Sequence, residues 1–128
     1  MVISYDNFEK WMNSVFDSTN LRDVTALNFN IYEDADNSWS IEAVGTSSFD
    51  EGDEDWACDE IADFGTRDNP YVWKEETTWN RVLSEITSCI QKYLEKGKNS
   101  EKLKETSGIG CGFVDGDIEI LYVKKRDK

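Results

Sequence analysis

Apolar and polar residues alternate along this chain in two different periods, and the switches between them outline its elements. From Tyr5 to Asp17, the residues Phe8, Trp11, Met12, Val15 and Phe16 recur at the three-and-four spacing of one helical stripe. Ser4 or Asp6 can cap this helix, and Asp6 with Glu9 has the spacing of a capping box. The period then falls to two. Leu27, Phe29 and Ile31 alternate with Asn28 and Asn30 in a strand over Val24 to Tyr32, and Trp39, Ile41 and Ala43 alternate with Ser40 and Glu42 after the polar turn EDADNS. These two strands are expected to pair antiparallel, with Thr46 to Phe49 either extending the second or opening the next loop.

The strongest helical pattern runs from about Glu75 to Lys96. Trp79, Val82, Leu83, Ile86, Cys89, Ile90, Tyr93 and Leu94 keep one face for more than four turns. Glu75 and Glu76 at its start and Lys92 and Lys96 at its end suit the helix dipole, and Gly97 is a natural stop. A shorter helical piece is expected over Ser100 to Thr106. The chain then closes in a hairpin. A two-residue turn at Asp115-Gly116 sets Phe113 opposite Ile118, Cys111 opposite Ile120 and Ile109 opposite Tyr122, so the large apolar pairs share a face. The other face carries Gly108, Gly110 and Gly112, and the tail Lys124 to Lys128 reads as a frayed basic end.

The fold these segments predict is α+β. An antiparallel sheet of four to five strands packs against two long helices in the order α-β-β-(β)-α-β-β, as a single domain over residues 1–128. The bracketed strand is a short one near Asp55 to Asp59, followed by a loop through Gly65, Asp68, Asn69 and the only proline, Pro70.

Charge changes this picture in one region. Between Asp23 and Thr66 there are thirteen Asp or Glu and no Lys or Arg, so the formal net charge of −13 resides in about a third of the chain. Its densest part is Phe49 to Phe64, FDEGDEDWACDEIADF, with eight carboxylates around Trp-Ala-Cys. Such a surface repels nucleic acid and anionic membrane. It favours a basic partner, a cation, or solubility alone.

Candidate chemistry narrows the choice. There is no histidine, and the carboxylates around Cys58 disfavour the thiolate that a cysteine nucleophile needs. With this many acids, no motif singles out a catalytic pair. Asp50, Glu51, Asp53, Glu54 and Asp55 are hard oxygen ligands crowded together, yet they miss the EF-hand spacing, so weak adventitious Ca²⁺ binding is expected and no dedicated metal or cofactor site. GIGCG runs into a hairpin instead of a helix N-terminus, so it reads as a strand whose glycines let a helix, a neighbouring side chain or a partner backbone come close, not as a phosphate cradle. Three cysteines at wide spacing fit neither a disulfide framework nor a zinc site, and Cys89 and Cys111 fall on apolar faces.

What remains is a protein interface. Clustered carboxylates steer a basic partner, and an aromatic among them can be its desolvated anchor. The candidate partner-binding residues are Asp50, Glu51, Asp53, Glu54, Asp55, Trp56, Asp59, Glu60 and Asp63, with Tyr71 and Trp73 as companions. A wet acidic face around a Trp that plugs the core edge is the competing reading.

The acidic segment with Trp56, the aromatic lead YVWKEETTW and the closing GFVDGDIEILYV together resemble the small acidic immunity proteins of bacterial polymorphic toxin and contact-dependent growth inhibition systems. The resemblance implies a non-enzymatic antidote that neutralises a cognate toxin domain, often a basic nuclease, by blocking its active site or substrate groove. An acidic adaptor for a basic, non-toxic partner shares the same surface logic. A Ca²⁺-binding module or small enzyme is the remaining alternative. With no basic, apolar leader at the N-terminus and no apolar run of membrane-spanning length, the expected location is cytoplasmic.

Overall fold

The computed structural model describes residues 3–114 and 116–124. The chain runs α1 (Tyr5–Phe16), β1 (Ala26–Glu33), β2 (Ser38–Thr46), a 3-10 helix (Glu54–Cys58), β3 (Glu60–Gly65), β4 (Tyr71–Lys74), α2 (Trp79–Lys96), α3 (Ser100–Leu103), β5 (Gly108–Phe113) and β6 (Glu119–Val123). Its class is α+β. Among the described residues the sheet has six strands in the order β3-β2-β1-β5-β6, and β4 pairs with the same β2 that carries β3.

The expected β1–β2 hairpin forms, with Phe29 opposite Ala43 and Ile31 opposite Ile41. Its turn places Asp36 and Asn37 at φ of 59° and 60°, a left-handed pair that short polar side chains tolerate. The sheet, however, is mixed and not antiparallel. β5 runs parallel to β1, with Leu27 beside Ile109, Phe29 beside Cys111 and Ile31 beside Phe113. The cause is the connection: α2 and α3 separate β4 from β5, long enough to bring the chain back to start a strand in the direction of β1.

One face of the sheet packs on the helices. Phe8, Met12 and Phe16 of α1, Ile86, Ile90 and Tyr93 of α2, and Leu27, Phe29, Ile31, Ile41 and Ile109 of the sheet are fully buried in one cluster. Tyr93 ties the two long helices, donating from its hydroxyl to Asn13 Oδ1 at 2.7 Å. Ser4 caps α1, accepting from the Asn7 N–H, and Lys102 donates to the Phe16 carbonyl at its other end. Gly97 stops α2 for a local reason: a Cβ there would stand 2.5 Å from the Tyr93 ring.

Several boundaries differ from the sequence expectation. α2 begins at Trp79, because the Glu75 N–H still bonds to the Asn37 carbonyl and the Glu75 carbonyl accepts from Trp39 Nε1 at 2.8 Å, which extends the sheet past β4. Glu75 and Glu76 therefore do not face a helix N-terminus. The strand expected near Asp55 to Asp59 is a 3-10 helix, closed by Asp59 N–H to the Trp56 carbonyl, and the strand comes after it. In the closing hairpin Ile109 faces Tyr122 as expected, but a bulge puts Cys111 opposite Glu119 and Gly110 opposite Ile120. Asp115 of the expected turn and residues 125–128 of the tail lie outside the described residues.

Candidate protein-binding surface

The second face of the sheet is not covered by α1 or α2. Its rows read Thr46, Ala26, Gly108, then Val44, Asn28, Gly110, then Glu42, Asn30, Gly112 across β2, β1 and β5. The glycines leave a trough, and the acidic segment fills it. A Cβ at Gly108 would collide with the Phe49 ring, and one at Gly110 would lie 2.9 Å from Trp56 Cζ2. Phe49 and Trp56 meet edge to face with ring centroids 5.0 Å apart. At Gly108 and Gly110 it is a neighbouring side chain that comes close, whereas Gly112 is met by the Asp117 carbonyl.

Trp56 is thus only 3% exposed, and this corrects its assignment as a presented anchor. The ring is the plug by which the acidic segment is seated. Trp56 Nε1 and Asn28 Oδ1 are both buried without a hydrogen-bond partner among the described residues, and Asn28 Oδ1 approaches Gly110 beside Trp56 Cζ2.

With its aromatics turned inward, the segment displays its acids. Asp50, Glu51, Asp53, Glu54, Asp55, Asp59 and Glu60 are all exposed. Several also shape the backbone that holds them. Asp50 Oδ1 accepts from the Gly52 N–H and Asp53 Oδ1 from the Asp55 N–H, the local turns that Asp favours. Glu54 accepts from the Ile118 N–H at 3.3 Å, tying the segment to the approach to β6, and Asp59 accepts from the Ser48 hydroxyl at 2.6 Å. The Asp63 side chain lies outside the described residues.

Beside the trough is a polar cluster that sequence reasoning missed. Glu42, with a side chain 3% exposed, receives Arg67 Nε at 3.1 Å, Tyr32 Oη at 2.7 Å and Asn30 Nδ2 at 3.0 Å. Arg67 also pairs with Glu60 at 3.0 Å. Burial alone would push the Glu42 carboxyl up, but the hydrogen bonds from Arg67, Tyr32 and Asn30 outweigh it and hold the group below its usual value. Burial, then the bond to Glu42, pushes the Tyr32 phenol up to about 12. Two signals pointed here: Glu42 sits opposite Asn30 in the hairpin register, and Arg67 is the first base after the long acidic stretch.

Tyr71 and Trp73 are not companions of an exposed Trp56. They point to the helical face, where Tyr71 packs edge-on against Phe8 at 5.8 Å and Trp73 donates to Glu75 at 3.3 Å. Trp79, placed by its spacing on the core stripe of α2, is instead 58% exposed. It stands over Phe113 at 6.1 Å and 89°. Cys89 and Cys111 are buried as expected, and Cys58 is exposed. Among the described residues no group of three or more His, Cys, Asp or Glu is arranged to hold a metal ion, and no helix is long and apolar enough to cross a membrane.

No protein-family model, curated protein or solved structure matches this chain.

Proposed function

We propose that this chain is an immunity-type protein: a cytoplasmic, non-enzymatic inhibitor that binds a basic toxin domain, most simply a nuclease, through its acidic surface. The observation that carries the reading is the mount. The acids of Asp50 to Glu60 stand on a segment held by Phe49 and Trp56 in the glycine trough and by Glu54 on the Ile118 N–H. A fixed array of carboxylates suits a surface built to meet a basic partner in one orientation, since groups already ordered lose less entropy on binding. A solvated face kept only for solubility needs no such fixing. The array can occupy the place of nucleic-acid phosphates or pair with Lys and Arg of the toxin.

The structure selects the residues for the test. Glu51 and Asp55 are exposed, and their side chains make no hydrogen bond among the described residues, so reversing them leaves the turns and Arg67 untouched. The chain is co-expressed with the product of the adjacent reading frame. A one-to-one complex that inhibits a nuclease or other toxic activity is expected, and Glu51→Lys/Asp55→Lys should slow association and flatten its salt dependence. Association that is equally fast and equally salt-dependent in the reversed variant would remove the acidic segment from the mechanism.

A further inference from the structure

The acidic segment supplies charge but no exposed aromatic, and the molecule presents one elsewhere. At the N-terminal end of α2 a groove of about 710 Å³ is lined by Trp79, Leu83 and Phe113, with Glu33, Asp117 and Glu119 around it. Its floor is continuous with the core: Phe113 packs edge-on against Trp39 at 6.1 Å beneath and against Trp79 above. Leu83 follows Trp79 one helical turn on, and Val114 beside the groove is 52% exposed. The three carboxylates are exposed, and among the described residues they make no ion pair and no base lines the groove. The Glu54 contact to Ile118, next to Asp117 and Glu119, joins this rim to the acidic segment.

The geometry points to this groove as the anchoring site for an arginine-bearing segment of a protein partner, with Trp79 as the desolvated aromatic. This rests on the basic partner proposed above. A planar guanidinium can stack on the Trp79 indole while a rim carboxylate takes its N–H groups, and an aliphatic neighbour of that arginine fits against Leu83 and Phe113. A lysine is more strongly hydrated and fits less well. The rim repels phosphates, which argues against nucleic acid, and the high negative charge of the chain argues against a second copy.

The probe is the amidated peptide acetyl-Gly-Leu-Arg-Leu-Arg-Gly, compared with its lysine and glutamate counterparts by NMR titration of the full chain. The arginine peptide should move the Trp79 indole N–H and the amides of Glu33 and Glu119. Trp79→Ala should weaken binding about tenfold, the range of an interface hot spot. The double variant Glu33→Gln/Glu119→Gln should weaken it too, so the test survives if Trp79→Ala folds poorly. Equal binding by the lysine peptide, or shifts confined to Asp50 to Glu60, would overturn the assignment. So would a concentration-dependent dimer that Trp79→Ala abolishes, since a second copy then covers the groove. The peptide result does not depend on finding a toxin. In the complex, Trp79→Ala binding as tightly as the parent chain while Glu51→Lys/Asp55→Lys associates slowly would overturn the groove and keep the acidic segment.

Discussion

The two faces of the sheet are closed by different physics. On the helical face, rows of Leu27, Phe29, Ile31 and Ile41 meet the apolar stripes of α1 and α2, and stability comes from apolar area removed from water. On the other face Phe49 and Trp56, from a segment with little regular structure, lie on bare backbone at Gly108 and Gly110, and the neighbouring position is filled by the Glu42–Arg67 pair. The first closure uses many interchangeable contacts. The second depends on a few shapes and charges, and it turns a repulsive run of carboxylates into a displayed surface.

This contrast is sharpest in a pair of truncations. Phe29→Ala, in the middle of the helical face, should cost about 4 kcal/mol, and Trp56→Ala about 3 kcal/mol, both in the range for large buried aromatics. Their reach should differ. Urea unfolding with hydrogen exchange is expected to show weakened protection throughout for Phe29→Ala, whereas Trp56→Ala loses more around Glu54 to Asp59 than in α2. Uniform loss in both would mean that the acidic segment belongs to the same cooperative unit as the core. Gly108→Val tests the trough from beneath: its side chain takes the space of the Phe49 ring, and overpacking of this kind costs about 2 kcal/mol. A variant that keeps full stability and the parent fluorescence of Trp56 would show that Phe49 is not seated there.

Most of the helical face was legible in the sequence, because amphipathic periods report burial directly. The stripe of Phe8, Trp11, Met12, Val15 and Phe16 and the pairing of β1 with β2 occur as expected, but the strands are not half-buried: the polar positions Asn28, Ser40 and Glu42 are buried as well. The parallel pairing of β5 with β1 was not legible, since a period of two is the same in either direction and the crossover is a long-range choice. The hairpin bulge escaped for a related reason: a one-residue slip shows only in three dimensions. In the acidic segment, the pattern of charge was plain but its inward-turned rings were not. The trough that receives them is written as missing side chains at Gly108 and Gly110, which the sequence presents as a space without naming its occupant. Trp79 was misplaced because it begins α2, where the apolar stripe runs beyond the edge of the core.

A smaller effect separates the two closures by pH. Arg67→Met should cost about 1 kcal/mol at neutral pH: Glu42 keeps Tyr32 and Asn30, and the guanidinium is 63% exposed, so water already screens part of the pair. Glu42 is held below its usual 4.5, so its contribution is present above that value and fades as pH falls through the depressed one. Urea midpoints of parent and variant should therefore differ at pH 7 and converge on acidification. A gap that stays constant over the whole acid range in which the parent remains folded would mean that Arg67 acts by packing and not by charge.

The smallest change, and the one with the opposite sign, lies at the edge of the helical face. Glu85 has its carboxyl pushed above the usual 4.5 by burial first, then by a hydrogen bond to Glu75 and that group's charge, against a lesser opposing pull from Arg81. Glu75 accepts from Trp73 Nε1, and the buried thiol of Cys89 lies close to Glu85. A carboxyl raised in the folded state binds its proton more readily there than in the unfolded chain. Its effect is therefore to make the fold more stable as pH falls through the raised value toward 4.5, and to oppose folding at neutral pH. Glu85→Gln keeps a donor toward Glu75 without the charge, so it should raise stability at pH 7 by on the order of half a kcal/mol, limited by the loss of the Arg81 pair. The gain should shrink as pH falls through the raised value toward 4.5. Melting curves of the two proteins across that range decide it: a variant less stable than the parent at pH 7 would show that the Arg81 pair outweighs the repulsion from Glu75, and that this edge is held by charge as Glu42 is.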